Sequence, residues 1–214
     1  MSTNMKLTRL DLKKDLKHLY TPPVREVEVV EVPAMQFLML DGMGDPNTAQ
    51  EYKDAVEALY TVAYSAKFLL KKEAALDYPV MPLEGLWWAD GGREAPREHW
   101  QWTLMIMQPD CVTAACFAQA LGQARRKKPG LRALEKVRLE LFPEGRAAQV
   151  MHVGPFADEG STLEKLDRFF TEHGHAFRGK HHEIYLNDLR RIAPRQDAYR
   201  APPSHCIRTM PVFK

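Results

Sequence analysis

The segment from His181 to Leu186 carries three side chains whose types and spacing could do chemistry together. In a strand, successive side chains point to opposite faces, so His181, Glu183 and Tyr185 would share one face. A carboxylate held among aromatic groups can attract a cationic or polarised ligand. If desolvation raises its pKa, it can instead act as a general base beside the tyrosine hydroxyl. Taken alone, the hexapeptide is more typical of an ordinary solvated strand face.

The other face of this strand would carry His182, Ile184 and Leu186, which are mostly apolar and suit packing against helices. We therefore expect the Glu183 face to be the open one. Because His181 and His182 point in opposite directions, they cannot ligate the same ion. The other nearby histidines bracket a helix end without a ligand partner at metal-site spacing, so neither a metal site nor a cofactor is predicted.

All four tryptophans lie close together in the sequence, on either side of one polar loop. Trp87 and Trp88 end one predicted strand, and Trp100 and Trp102 begin the next. Large aromatic side chains serve equally in core packing and in lining a ligand pocket, so both interpretations stay open. In the second interpretation the four tryptophans and His181 are the ligand-binding residues.

The elements that must position these residues follow from hydrophobic periodicity and turn signals. Strand, strand, helix, strand, strand occurs twice, over about 27–108 and 137–212. We expect a single domain over 1–214, with an N-terminal arm, two repeats and a linking helix. Their predicted ranges are 1–23 for the arm, 24–109 and 130–214 for the repeats, and 110–128 for the helix. Strands in this order favour antiparallel pairing with helices on one face, an α+β fold.

Local signals predict where helices begin. Asp45 and Asp110 are placed at the starts of the two long helices, and Ser161 with Glu164 forms a capping box for a third. The segment from Leu7 to Tyr20 is predicted to be a solvated amphipathic arm, because one short basic helix cannot form a helix-turn-helix.

The charge balance and the apolar segments limit the partners and the compartment. The net charge is +2, from 30 basic and 28 acidic residues, so nothing favours a direct nucleic-acid partner. No run approaches the roughly 20 apolar residues of a membrane span, and the first residues lack the pattern of a signal peptide. Three cysteines without a CxxC pair fit a reducing cytoplasm. The oligomeric state is not predictable from these features.

Three segments carry a resemblance to a known family: Tyr78 to Trp88, Trp100 to Pro109, and Gly179 to Leu186. They resemble the GyrI-like family, and more closely its stand-alone members. The resemblance implies a duplicated strand–helix–strand–strand module that forms one curved antiparallel sheet. Its helices would lie on the convex face, and a ligand pocket would lie on the concave face.

The resemblance also implies what the pocket does. Members fused to a DNA-binding region sense drugs, and the glutamate at the position of Glu183 contacts cationic ligands; this chain lacks room for that region. Some stand-alone relatives hydrolyse cyclopropane-bearing, DNA-alkylating aromatic compounds. If the same roles apply to this chain, Glu183 would orient or deprotonate the attacking water, and Tyr185 would donate a hydrogen bond to the substrate. The tryptophans would stack on its flat rings.

Three functions therefore remain open for the sequence. The first is detoxification of small aromatic electrophiles by hydrolysis. The second is binding without catalysis, in which the domain sequesters or senses an aromatic, cationic ligand. The third is interaction with gyrase, for which the basic arm is the only sequence feature.

Overall fold

The computed structural model describes residues 6–155, 158–186 and 204–212 of the 214-residue chain. By its internal contacts the chain forms two compact units. The first contains Met1–Asp15, Met35–Met81 and Ala89–Phe142, and the second contains Leu16–Ala34, Pro82–Trp88 and Pro143–Lys214. Each unit therefore takes strands from both predicted repeats.

The first unit consists of an antiparallel sheet, a small parallel strand pair and two long helices. The central strand β3 pairs with β6 on one side and with β7 on the other, and β1 pairs with β4. The elements of this unit are β1 (Thr8–Arg9), α1 (Leu12–Asp15), β3 (Met35–Met43), α3 (Gln50–Glu73), β4 (Leu76–Asp77), β6 (Gln101–Gln108), α4 (Ala114–Lys127) and β7 (Arg138–Phe142). Three short 3-10 helices complete it: Gly92–Glu94, Arg97–His99 and Arg132–Glu135.

A tight contact between β3 and β6 fixes the position of Trp102. Gly42 pairs with Trp102 across the two strands, and a Cβ added to Gly42 would lie 2.1 Å from the indole ring. Tyr52 of α3 packs edge-on against the same ring, with centroids 5.4 Å apart. The tryptophan is fully buried, so glycine at position 42 is what lets this large side chain lie flat on the strand.

Two lysines near the C-terminal end of α3 form ion pairs with Asp77, the last residue of β4. Lys67 Nζ lies 2.6 Å from Asp77 Oδ1 and Lys71 Nζ lies 3.0 Å from Oδ2. The hydrogen bonds from Lys67 and Lys71 lower the pKa of Asp77 to about 2. Because the folded pKa lies below the ordinary value, this pair stabilises the fold above about pH 4 and loses its effect as the pH falls through about 2.

We therefore expect Asp77→Asn to lower the free energy of unfolding at pH 7 by on the order of 1 kcal/mol, because both lysines lose their partner. The difference from wild type should shrink as the pH is lowered toward 2, where the wild-type carboxyl group is itself protonated. Thermal unfolding followed by circular dichroism across this pH range measures it. Asp90→Asn, at an exposed position of the same unit, is the matched control. A difference that stays constant with pH would contradict the assignment.

The second unit is built on five antiparallel strands in the order β2, β8, β10, β9, β5. One face of this sheet packs against α5 through a buried cluster of Ala148, Val150, Leu166, Phe170 and Ile207. The elements of this unit are α2 (Lys17–Tyr20), β2 (Glu28–Val32), β5 (Leu83–Trp88), β8 (Gly145–Val153), α5 (Gly160–Glu172), β9 (Ala176–Tyr185) and β10 (Ser204–Val212).

The end of the predicted arm is buried in this unit instead of being solvated. Leu19 and Tyr20 are 0% and 5% exposed. The side chain of Gln149 donates to the carbonyl of His18 at 2.7 Å, and the Met151 backbone N–H donates to Pro23 O at 3.0 Å. The prediction of a solvated arm is therefore wrong for α2, because its two apolar residues at the C-terminal end are enough to anchor it.

The α+β class with antiparallel strands and helices is confirmed. The helix starts differ from the predictions. The first long helix, α3, begins at Gln50 and not at Asp45, and α4 is capped by Thr113 and not by Asp110. The N-cap of α5 is Glu159, and Ser161 makes no capping bond. No helix within the described residues is long and apolar enough to cross a membrane.

Candidate functional site

The register of β9 shows which face of the second unit carries Glu183. Glu183 pairs with Gly85 of β5 on one side and with Ile207 of β10 on the other. Directly paired residues of antiparallel strands point to the same face. Because Ile207 belongs to the cluster that packs against α5, Glu183 lies on the face that α5 covers.

The expectation that His181, Glu183 and Tyr185 lie opposite the helices is therefore wrong for α5. Ile184 and Leu186 are apolar, which suggested that their face of the strand packs against the helices. Ile184 is indeed fully buried, but it lies on the face that carries His182. Both faces of β9 are buried, so apolar content could not tell which one faces the helix.

A carboxylate–imidazole–carboxylate cluster forms on the α5 face. His181 Nε2 lies 3.2 Å from Glu183 Oε1 and 3.4 Å from Glu159 Oε1. The side chains of Glu159, His181 and Glu183 are 14%, 21% and 12% exposed, so the cluster is sheltered but reachable from solvent. Glu159 is the N-cap residue of α5, and its position next to β9 depends on how the helix docks on the sheet.

The cluster shifts the protonation of His181. Burial alone would lower the pKa of this histidine, but the hydrogen bonds and negative charges of Glu159 and Glu183 outweigh it and raise the pKa to about 9. At neutral pH the imidazole is therefore a cation that donates from Nε2 toward the two carboxylates. Within the described part of the chain, its Nδ1 atom is buried and has no hydrogen-bond partner.

Two aromatic side chains lie beside this cluster on the same face. The indole Nε1–H of Trp87 donates to the Tyr185 hydroxyl at 2.9 Å, and both side chains are buried. Both side chains lie directly over Gly85. A Cβ at this position would lie only 2.7 Å from Trp87 Nε1 and 3.1 Å from the Tyr185 oxygen. Trp87 also pairs with His181 in the strand register. The structure thus brings together four predicted site residues: Trp87, His181, Glu183 and Tyr185.

The other predicted tryptophans have different surroundings. Trp88 follows Trp87 in β5, so its ring lies on the opposite face, where Lys180 Nζ sits 3.1 Å from the ring centroid. Trp100 and Trp102 belong to the first unit. Trp100 is half-buried and donates from Nε1 to the Ala95 carbonyl at 2.9 Å, while Trp102 packs over Gly42.

A second polar cluster lies on the opposite face of β9 and was missed by the sequence reasoning. His182 Nε2 lies 3.0 Å from Glu84 Oε2, and His182 Nδ1 lies 2.7 Å from Glu144 Oε1. The Tyr20 hydroxyl donates to Glu84 Oε1 at 2.7 Å. All four side chains are at most 5% exposed. Burial opposes a charged His182, but Glu144 and Glu84 outweigh it and raise its pKa. The only sequence signal was a histidine at a position expected to be apolar.

The two clusters differ in what they can do. The Tyr20–Glu84–His182–Glu144 cluster is sealed from solvent and suits a structural role. The Glu159–His181–Glu183 cluster is reachable, and its three ligand atoms lie within 4.8 Å of one another. Beside it lies the buried Trp87–Tyr185 pair, two aromatic side chains joined through a hydroxyl group. This arrangement can hold a flat ligand, accept a proton at a carboxylate and donate one from a phenol.

A surface cavity of about 360 Å³ lies in the first unit, where its lining includes Asp54, Glu57, Lys127 and Lys128. Its charged groups already have partners. Lys128 Nζ lies 3.0 Å from Glu57 Oε1, Gln50 donates to Asp54, and Lys127 donates to Ser65. A ligand in this cavity would compete with a solvent-exposed ion pair. A charged, exposed cavity of this kind is a poor binding site for an aromatic compound.

Comparisons with known proteins show strong similarity over most of the chain. Residues 25–199 match the family model described as the GyrI-like small molecule binding domain. A crystal structure of an uncharacterized conserved protein from Listeria innocua is 38% identical with a TM-score of 0.84, covering 95% of this chain and 100% of that one.

Two further crystal structures from Listeria innocua, both described as hydrolases, are similar to this chain. One is 37% identical with a TM-score of 0.80, covering 95% of this chain and 100% of that one. The other is 36% identical with a TM-score of 0.83, covering 96% of this chain and 100% of that one. Among proteins with curated descriptions, none matches the sequence.

Proposed function

Because the chain belongs to the GyrI-like family of small-molecule-binding domains, we propose that its Glu183 site binds small aromatic electrophiles and hydrolyses them. The substrates would be flat compounds that carry a strained cyclopropane conjugated to a carbonyl group. The observation that carries this proposal is the shared face of Glu183, His181, Tyr185 and Trp87 on the second unit.

The carboxylate of Glu183 is suited to accept a proton from water. One of its oxygens contacts His181, and Oε2 has no hydrogen bond within the described residues. The His181 cation orients the carboxylate through Oε1, which leaves the lone pairs of Oε2 to a bound water.

The reaction is the addition of water across the strained ring. The water oxygen forms a bond to a ring carbon while its proton passes to Glu183. The strained C–C bond breaks, and its electron pair moves through the conjugated ring to the carbonyl oxygen, which becomes a phenolate. In this proposal the Tyr185 hydroxyl donates a hydrogen bond to that oxygen and stabilises its developing negative charge. Proton transfer to the phenolate then completes the product.

Trp87 supplies the binding surface in this proposal. Its indole N–H is bound to Tyr185, which fixes the ring plane, so a flat ligand meets a rigid aromatic group. The absence of a side chain at Gly85 lets Trp87 and Tyr185 lie directly against the strand beside Glu183. Two similar solved proteins are described as hydrolases, which supports a hydrolytic activity at this kind of site.

The test is to incubate the purified full chain with a cyclopropylindole compound and to follow the ring-opened product by mass spectrometry. In parallel, calorimetry measures the affinity for the stable, ring-opened analogue. Turnover in ¹⁸O-labelled water should place the label in the product, because the attacking oxygen comes from solvent. Binding without any product above the uncatalysed reaction would overturn hydrolysis and leave sequestration as the function. If the protein shows no binding and forms no product, the assignment of the site itself is overturned.

A further inference from the structure

We propose that Glu159, His181 and Glu183 form a binding site for one divalent first-row transition metal ion, with Zn²⁺ the best match. This inference goes beyond hydrolysis and does not depend on it, because it concerns the protein without substrate. The ligands come from two elements: Glu159 caps α5, and His181 and Glu183 lie two residues apart in β9.

The spacing of the donor atoms already matches a metal site. Ligands that bind Zn²⁺ tetrahedrally at about 2.0–2.1 Å lie about 3.3 Å from one another. His181 Nε2 lies 3.4 Å from Glu159 Oε1 and 3.2 Å from Glu183 Oε1. The third spacing, between the two carboxylates, is within 4.8 Å and closes by rotation of a glutamate side chain. An ion can therefore be accommodated without movement of the backbone.

The donor set selects the class of ion. One imidazole with two carboxylates suits Zn²⁺ and its neighbours in the first row, whereas Mg²⁺ and Ca²⁺ prefer sites made of oxygen ligands alone. Three protein ligands leave a fourth position for water, as in zinc sites that are open to solvent. The partial exposure of all three side chains gives the ion a route into the cluster.

The charge of the cluster also favours a cation. Two carboxylates face a single imidazole, so the cluster matches the charge of one divalent ion lying between the same three atoms. Within the described residues the buried Nδ1 atom of His181 has no partner, whereas metal-bound histidines usually donate from this second nitrogen. We therefore expect an affinity below that of a structural zinc site.

The test uses the untagged full chain after removal of metals with a chelator. Titration with Co²⁺ should produce the visible absorption bands of a tetrahedral complex, and Zn²⁺ should displace it at one ion per chain. Calorimetry with Zn²⁺ gives the affinity. Glu159→Gln and His181→Gln should each weaken binding by about tenfold or more, with unchanged circular dichroism.

Two control variants test whether a loss of metal binding is specific to the proposed ligands. Glu164→Gln changes an exposed glutamate of the same helix and should bind like wild type. His173→Gln removes an exposed histidine after α5 and should also leave the affinity unchanged. No cobalt bands and no zinc heat, or equal affinity in wild type, Glu159→Gln and His181→Gln, would overturn the proposal. All these measurements are made without substrate, so a failure of hydrolysis leaves their outcome intact.

Discussion

Glutamine in place of Glu183 is expected to reduce formation of the ring-opened product by about 100- to 10,000-fold, the range associated with loss of a general base. Glutamine has nearly the same shape, and its carbonyl oxygen can still accept a hydrogen bond from His181. The affinity for the ring-opened analogue should therefore change little. The measurement is the single-turnover rate at saturating protein, because it separates the chemical step from binding.

Glu164→Gln is the matched control for this experiment, since it makes the same chemical change at an exposed position of the same unit. Tyr185→Phe is an informative second variant, because it removes the proposed donor and the acceptor for Trp87 Nε1 while keeping the ring. We expect a smaller loss of rate for it than for Glu183→Gln. A Glu183→Gln protein that turns over at the wild-type rate would show that the carboxylate does not accept the proton of water.

Leucine in place of His182 is expected to lower the free energy of unfolding by about 3–5 kcal/mol, because it removes the cation between two buried carboxylates. In wild type, His182 contacts both Glu84 and Glu144 in a region that is almost completely excluded from solvent. For a chain of this size the loss corresponds to a fall of about 10 °C in Tm. Thermal and urea unfolding at pH 7 measure it.

The difference between wild type and the variant should shrink as the pH is raised. Glu144 and Glu84 raise the pKa of His182, and a group with a raised pKa loses its contribution to stability as it is deprotonated. His99→Leu, at an exposed position, makes the same substitution and should change Tm little. If His182→Leu unfolds at the same temperature as His99→Leu, the cluster does not contribute to stability in the way its geometry indicates.

The strand order along the chain and the class of the fold were predictable, because each depends on local patterns. The alternating β-branched residues before Pro33 and the apolar run after it are typical of strands, and the structure has β2 and β3 there. Helix starts were less predictable. The N-caps are Thr113 and Glu159, and neither stands out from the other polar residues near the same helix start.

The site was predictable in part for a similar reason. Strand alternation alone places Glu183 beside His181, and the structure joins them at 3.2 Å. Glu159 could not be found this way, because it reaches the cluster only when α5 docks on the sheet. The same is true of Tyr20 and Glu144, which meet His182 and Glu84 across long separations in the chain. Contacts of this kind depend on tertiary packing, which no local pattern encodes.

Gly85 has an evolutionary consequence. A glycine codon becomes an alanine or valine codon by one base change, and either side chain would collide with Trp87 and Tyr185 next to Glu183. Related chains could therefore narrow or abolish their ligand range in a single mutational step, without altering any group that does chemistry. Position 85 is thus where we expect lineages that share this fold to diverge first in what they accept.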